Sequence, residues 1–449
     1  WAQDAVVDLS STALELADDK ALRRQIRLQR GIALVRLQDF ETAITELGEL
    51  LLEAEGEERL EALLARGRAT LWSERDAETI EMAEQAVALA TELGVEDAVP
   101  AALALQAQGL GQRGAEGDLP RALELGEQAL AEWVPGTRRY DHAEQLHLHA
   151  DTVYWVGDYE RCVELSHEAR AVATDVHSAE ALLRGGGTEA LALASLGRHE
   201  EAIRIWDELF VIARELGRNM RGLLNYSSLA YRELLDLDEA RRRSEEALEW
   251  STGESFGMPR RFAHSDLLFT DLLADDVGRA QAVWPELWAD AEGATGWTRW
   301  LIYGRLAAAR AEIALHAEDP ESAVEWAQRA VELARRTLRR KYEAKSLSIL
   351  GEALARARLR EEALRELEAG VAVADGLIGP PARWVARAAL GRAAYALGDD
   401  DRAATAYSEA AELVQTFAST LAPERSGRLL RAPSVSEILS LAGRTVSGG

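Results

Sequence analysis

The sequence predicts an all-α fold: a right-handed solenoid of about ten helix pairs with a period of about 40 residues. Three observations predict it. The composition favours helix, no segment shows the sustained apolar–polar alternation of a strand, and one small residue recurs in register along the chain.

The composition also excludes several kinds of protein. About 47% of the 449 residues are apolar, enough for a large core, and only 10 are Pro. Ala, Leu, Glu and Arg dominate, and these lose little side-chain freedom in a helix. The formal net charge of −26 opposes nucleic-acid binding, because an acidic chain repels phosphate backbones. Two locally basic stretches, Arg335–Lys345 and Arg241–Arg243, read as solvated helix faces or ends. Only Lys20, Lys341 and Lys345 are lysines among the 51 basic residues, which fits the codon bias of a GC-rich bacterium. Cys162 is the single cysteine, so the chain has no intrachain disulfide and no Cys-based zinc cage. It has no apolar run of about eighteen residues and no signal peptide at WAQDAVVDLS, so no membrane is expected and a cytoplasmic location is.

The repeat is the main signal. A short polar turn, charged residues, a small residue and then an amphipathic helix recur in Gly157–Cys162 (GDYERC), Gly197–Ala202 (GRHEEA), Arg358–Ala363 (RLREEA) and Gly398–Ala403 (GDDDRA). Aligning the small residue gives Ala43, Thr79, Ala122, Cys162, Ala202, Ala240, Ala280, Ala323, Ala363 and Ala403. Nine steps span 360 residues, a mean of 40. Two antiparallel helices that cross closely need a side chain no larger than Ala, Cys or Thr at the crossing. A second small residue lies twelve positions earlier in several units, at Gly31, Ala150, Ala190, Gly351 and Gly391, and marks the first helix of the pair. Each pair leaves an apolar face it cannot bury alone, so neighbours stack into a continuous core.

This pattern resembles the tetratricopeptide repeat (TPR), with a small residue in the first helix, a Gly-Asp-Tyr-like turn and an Ala opening the second. Gly157–Tyr159 is the nearest match. The chain departs from the TPR pattern in its longer period, against about 34 residues, and in lacking most of the early Trp and terminal Pro. Longer helices of this kind resemble the sensor arrays of bacterial signalling ATPases of the maltose-regulon activator type, and the repeat tails of ATPase-linked nucleotide cyclases. The tail Leu421–Gly443 is similar to the endings of the cyclase group.

The ends differ from the middle. Residues 1–19 read as the second helix of a pair whose first helix is missing, which suggests a piece of a longer protein. Residues 20–418 hold about ten helix pairs. Residues 419–449 read as capping helices and a tail, interrupted by Pro423 and Pro433.

Motifs for chemistry are missing. None of the lysines follows a Gly, so no phosphate loop of the Walker type exists, and Gly185–Gly187 lies in the first-helix slot where close packing explains it. His167–Glu168 and His199–Glu200 lack the second His of a zinc protease. His142, His147 and His149 cluster near Asp151, but positions two apart on a helix do not share a face, so no metal is expected. Cys162 occupies a packing slot rather than a nucleophile's place. No cofactor and no catalytic activity are expected. Trp284, Trp288, Trp297, Trp300 and Trp326 gather around Glu292–Gly296 and read as filling for an irregular turn, or else as a pocket.

The expected function is therefore recognition. In a TPR-like pair the first helix lines the concave face, and counting eighteen, fifteen, eleven and eight positions back from the small residue gives the inward set. That selects Glu144, His147, Asp151 and Tyr154 in the fourth pair, Asn225 and Arg232 in the sixth, Lys345, Ser348 and Glu352 in the ninth, and Arg392 and Tyr395 in the tenth. Their mixture of polar and aromatic groups suits a surface that binds a protein, a peptide or a small effector. By resemblance, the chain would be the sensor arm of a larger bacterial signalling or transcription-regulating ATPase; a self-standing adaptor or a peptide-pheromone receptor is the alternative.

Overall fold

The computed structural model describes residues 2–251 and 257–446. Within them the chain is helical, with short turns and no strand. A lone first helix, α1 (Ala2–Leu16), precedes ten pairs. In order these are α2 (Lys20–Arg36) with α3 (Phe40–Leu50), α4 (Gly56–Trp72) with α5 (Asp76–Leu93), and α6 (Ala98–Arg113) with α7 (Asp118–Ala131). Then come α8 (Arg139–Val156) with α9 (Tyr159–Asp175), α10 (Ala179–Ser195) with α11 (His199–Glu215), and α12 (Arg221–Glu233) with α13 (Leu237–Trp250). The last four are α14 (Met258–Leu273) with α15 (Val277–Glu292), α16 (Tyr303–His316) with α17 (Pro320–Arg336), α18 (Arg340–Arg356) with α19 (Arg360–Gly376), and α20 (Pro380–Ala396) with α21 (Asp400–Ser419). Two shorter helices, α22 (Pro423–Arg431) and α23 (Pro433–Val446), pack on α21. The fold is a TPR-like α-solenoid.

The sequence register has a simple structural cause. The recurring small residue falls in the first turn or so of every second helix and is almost wholly buried, from Ala43 at 0% to Ala403 at 3% exposure. Opposite it the first helix also needs a small residue. A Cβ on Gly31 would lie 2.4 Å from Leu47, and one on Gly351 would lie 2.2 Å from Leu367, each leucine being four residues past the slot. Gly186, in the glycine triplet of α10, likewise lies against Leu209 at 2.7 Å from its hypothetical Cβ, which is close helix packing.

The turn inside each pair is just as regular. Five positions before the slot, all ten pairs place a residue with positive φ: Gln38, Glu74, Gly117, Gly157, Gly197, Leu235, Asp275, Glu318, Arg358 and Gly398. The next residue caps the second helix in six pairs, where Asp39, Asp158, Asp236, Asp276, Asp319 and Asp399 accept from a backbone N–H three residues on.

The chain divides into two compact units: Trp1–His149 with Thr295–Trp297, and Ala150–Ala294 with Thr298–Gly449. In the first unit Leu47, Leu50 and Ala65 form one apolar cluster, Leu60, Leu63 and Ala86 a second, and Leu103, Leu125 and Trp133 a third. In the second unit the first helices of successive pairs touch one another, α10 on α12, α12 on α14, α14 on α16 and α16 on α18. They form an inner layer, with the second helices outside. This unit also closes on itself. Glu200 accepts from the Ala422 N–H at 2.9 Å and pairs with Arg425 at 2.8 Å, Asp236 pairs with Arg428, and Gly197 lies against Pro380.

Candidate functional site

The inner layer of the second unit carries aromatic rings and cations in alternation. From α8 and α14 come Trp155 and Phe262, whose ring centroids are 6.2 Å apart, and Tyr342 of α18 lies 6.3 Å from Trp155. The Arg339 guanidinium sits 4.5 Å from the Trp155 centroid and 3.8 Å from that of Trp300. Arg305 covers Phe262 at 4.4 Å, and the Lys345 ammonium lies 3.7 Å over Phe269. Trp300 is presented by a π-helical turn, Thr298–Ile302, a local irregularity that recurs at functional sites.

The charges in this layer do not balance. Asp266, fully buried, accepts from Arg232 at 2.7 Å and pairs with Arg305. Lys345 pairs with Glu312 at 2.9 Å, and Lys341 with Glu233. Arg339 is 2% exposed, and none of its three guanidinium nitrogens has a hydrogen-bond partner. Arg305, 1% exposed, leaves Nε and Nη1 without one. Five of the six guanidinium nitrogens of these two residues thus lack an acceptor, and a buried donor left unpaired costs about 1–3 kcal/mol. Burial pushes the Arg339 pKa down to about 9, and the nearby Arg305 charge acts in the same direction.

Asp151 lies in the same layer. Burial pushes its pKa up to about 6, against hydrogen bonds donated by Thr188 at 2.7 Å and the Tyr226 hydroxyl at 3.3 Å. Tyr154 is 3% exposed and its hydroxyl shares a hydrogen bond with Ser195. Asn225, also buried, donates to the Pro259 carbonyl at 3.0 Å. These three expected contact residues, with Arg232 and Lys345, gather in one interior, but Asp151, Tyr154 and Asn225 are built into it rather than displayed on an open groove. His147 belongs to the first unit and is buried at 4% exposure. Glu352 and Arg392 form an ion pair 2.5 Å long, and Tyr395 is 66% exposed. Ser348 is buried, with its hydroxyl donating to the Ala344 carbonyl. Glu144, in the first unit, accepts from Trp72 Nε1.

Two sequence-based expectations need correction. The Arg335–Lys345 stretch is not a solvated face throughout: Arg335 and Arg340 are about half exposed, while Arg339 is buried and Lys341 and Lys345 reach interior carboxylates. Arg243 is buried as well, bonded to Glu239 and Ser227 beside Phe210 and Tyr231, because consecutive helical residues point about 100° apart and a run of three cannot stay on one solvated face. The tryptophans separate. Trp284 stacks on Trp288, both meet Trp326 edge-on, Tyr303 packs on Trp288, and Arg329 lies over three of the rings at 5.0–5.3 Å. Trp297 packs on Trp72 in the first unit, and Trp300 covers Arg339.

The sequence reading missed Arg305, Glu312, Phe262 and Phe269, yet its own counting rule finds them. Eighteen and eleven positions before Ala280 are Phe262 and Phe269, and the same offsets from Ala323 give Arg305 and Glu312. Arg339 had no such signal, since it precedes its helix as the N-cap of α18.

A cleft of about 640 Å3 also opens in the second unit, between the start of α11 and helices α20 and α21. Most of its charges are already paired: Arg198 with Glu201 at 2.6 Å, Arg387 with Glu409 at 2.7 Å and with Asp375, and Glu200 with Arg425. Nothing in its lining calls for a ligand. Among the described residues no group of three His, Cys, Asp or Glu side chains is placed to hold a metal, and no helix is long and apolar enough to cross a membrane.

No family model matches the chain, and no curated protein matches it. Among solved structures it is similar to the APC/C hetero-tetramer Cut9–Hcn1, with 14% identity over 93% of this chain and 83% of that one and a TM-score of 0.49. It is also similar to a Rap protein complexed with Competence and Sporulation Factor, at 12% identity over 89% and 99% of the two chains and a TM-score of 0.47. The yeast Tom70 follows at 14% identity over 99% and 93%, with a TM-score of 0.39.

Proposed function

We propose that the chain is a non-catalytic interaction module that takes up a protein or peptide on the inner layer of its second unit. We propose further, on the resemblance of its repeats, that it is the cytoplasmic sensor arm of a larger bacterial signalling or transcription-regulating ATPase, with a small effector as a second ligand. The observation that supports recognition is the inner layer itself. In a chain of net charge −26, Arg232, Arg305, Arg339 and Lys345 converge among Trp155, Phe262, Phe269 and Trp300. Aromatic and arginine side chains are the groups that anchor partners at interfaces, and surplus cations select an acidic partner.

The test is a titration with acidic, neutral and basic peptides of equal length, read by intrinsic tryptophan fluorescence. The reading expects saturable binding of acidic peptides, weakened by Arg232→Ala and Lys345→Ala. Indifference to peptide charge, or binding that both variants leave unchanged, contradicts it. The sensor-arm part is tested by the full-length gene, in which an ATPase motif upstream is expected.

A further inference from the structure

We propose that the interior of the second unit is a binding site for a carboxylate, held by the Arg339 guanidinium between Trp155 and Trp300 and backed by Arg305. The proposal rests on reading the inner layer as the recognition surface, and it names the chemistry that surface takes.

The case begins with an unmet demand. Arg339 is almost wholly buried, carries a full charge and has no acceptor at Nε, Nη1 or Nη2. Arg305 repeats the situation, since its one partner, Asp266, is shared with Arg232. Two guanidinium groups therefore share one carboxylate, and the third, that of Arg339, has no hydrogen-bond acceptor. Asp151 does not make up the deficit, because its oxygens receive the Thr188 and Tyr226 hydroxyls. An ordinary core does not keep five guanidinium nitrogens without acceptors, so the missing partner is an oxyanion from outside the chain.

The surroundings then select the kind of oxyanion. The rings of Trp300 and Trp155 take up the space over the guanidinium, at 3.8 and 4.5 Å from its carbon, so an acceptor approaches along the N–H directions. A carboxylate presents two coplanar oxygens in that direction and pairs with the planar fork in bidentate fashion. A phosphate dianion brings a second negative charge toward Asp151, whose field reaches Arg339, and is disfavoured. The rings also supply an apolar wall, so the group attached to the carboxylate is apolar or aromatic rather than charged.

The carboxylate has two sources, a free organic acid or the C-terminus of the bound peptide, and the experiment separates them. The full chain is titrated at constant ionic strength with sodium benzoate, with sodium phosphate, and with a short neutral peptide carrying either a free or an amidated C-terminus. Binding is read by calorimetry and by tryptophan fluorescence, in wild type and in Arg339→Met. A saturable benzoate response assigns a free acid. A response to the free but not the amidated peptide assigns a C-terminus. Either response should weaken at least about tenfold in Arg339→Met, as expected for loss of a charged hydrogen-bond pair. That variant should melt no lower than wild type without ligand, because it removes an unpaired buried charge.

Absence of a saturable response to every carboxylate, an equal response in Arg339→Met, or a preference for phosphate overturns the proposal. Peptide binding that needs Arg232 and Lys345 but ignores both amidation and Arg339 overturns this proposal alone and leaves the inner-layer reading standing.

Discussion

His199 is 1% exposed, packed against Phe417 at 5.0 Å, and burial pushes its pKa down to about 4, against the pull of Glu233. Its ordinary value is 6.5, so between pH 6.5 and 4 the unfolded chain binds a proton that the folded chain does not. Stability tied to His199 is therefore lost as pH falls through that window. Asp151 acts in the opposite sense: its folded pKa of about 6 is raised, so acidification toward 3.8 favours the folded form. Comparing wild type with His199→Gln cancels the Asp151 contribution. Denaturant melts should show wild type losing on the order of 1–3 kcal/mol relative to the variant between pH 7 and pH 4.5. Parallel stability curves would refute this. Cys162 gives a second test at this scale. It is fully buried in a slot that other pairs fill with Ala, and burial pushes its thiol well above the ordinary range. Cys162→Ala should cost about 1 kcal/mol or less, and the native thiol should resist labelling. Rapid labelling without unfolding contradicts that placement.

The helix pair is the element, and its turn holds a strain that the sequence only partly displays. Four of the ten left-handed positions are Gly, which needs no explanation, but Gln38, Glu74, Leu235, Asp275, Glu318 and Arg358 adopt the same conformation with a Cβ. Arg358, at φ 63°, is exposed. Arg358→Gly should raise stability by about 0.5–1 kcal/mol, and an unchanged or lower midpoint would show that the turn is not strained there. The following cap works the other way. Asp158 accepts from the Arg161 N–H at 3.1 Å, and Asp158→Ala should cost about 1 kcal/mol in the same melts. At the crossing, Gly351→Ala would put a methyl 2.2 Å from Leu367 Cγ and should be markedly worse than either. The small residues were legible because only a small side chain fits the crossing, whereas the Asp caps were legible only as part of a short polar turn. The left-handed turn was legible only where Gly occupies it.

At the scale of the whole molecule, two kinds of information were unequally available. The first-helix register was readable, since a fixed offset from the slot selects Asp151, Tyr154, Asn225, Arg232 and Lys345, and extends to Phe262, Arg305 and Glu312. Their burial was not. The second unit closes through contacts between residues 222 to 225 positions apart, such as Glu200 with Ala422 and Arg425, and no local period encodes those. Arg339 fell outside the register because it stands at a helix cap, where a basic run looks solvated. The surplus of cations in that closed interior, within a chain of net charge −26, is what the account asks to be explained.

The most direct measurement compares affinities for one acidic peptide, chosen from the titration series, across two sets of substitutions. Arg232→Ala and Lys345→Ala remove inner-layer cations, while Arg336→Ala and Arg365→Ala remove cations of the outer second helices. The account predicts that each inner-layer substitution weakens binding by about tenfold or more, and that the outer ones change it by less than about twofold. Equal losses from both sets, or a larger loss from the outer set, would contradict it.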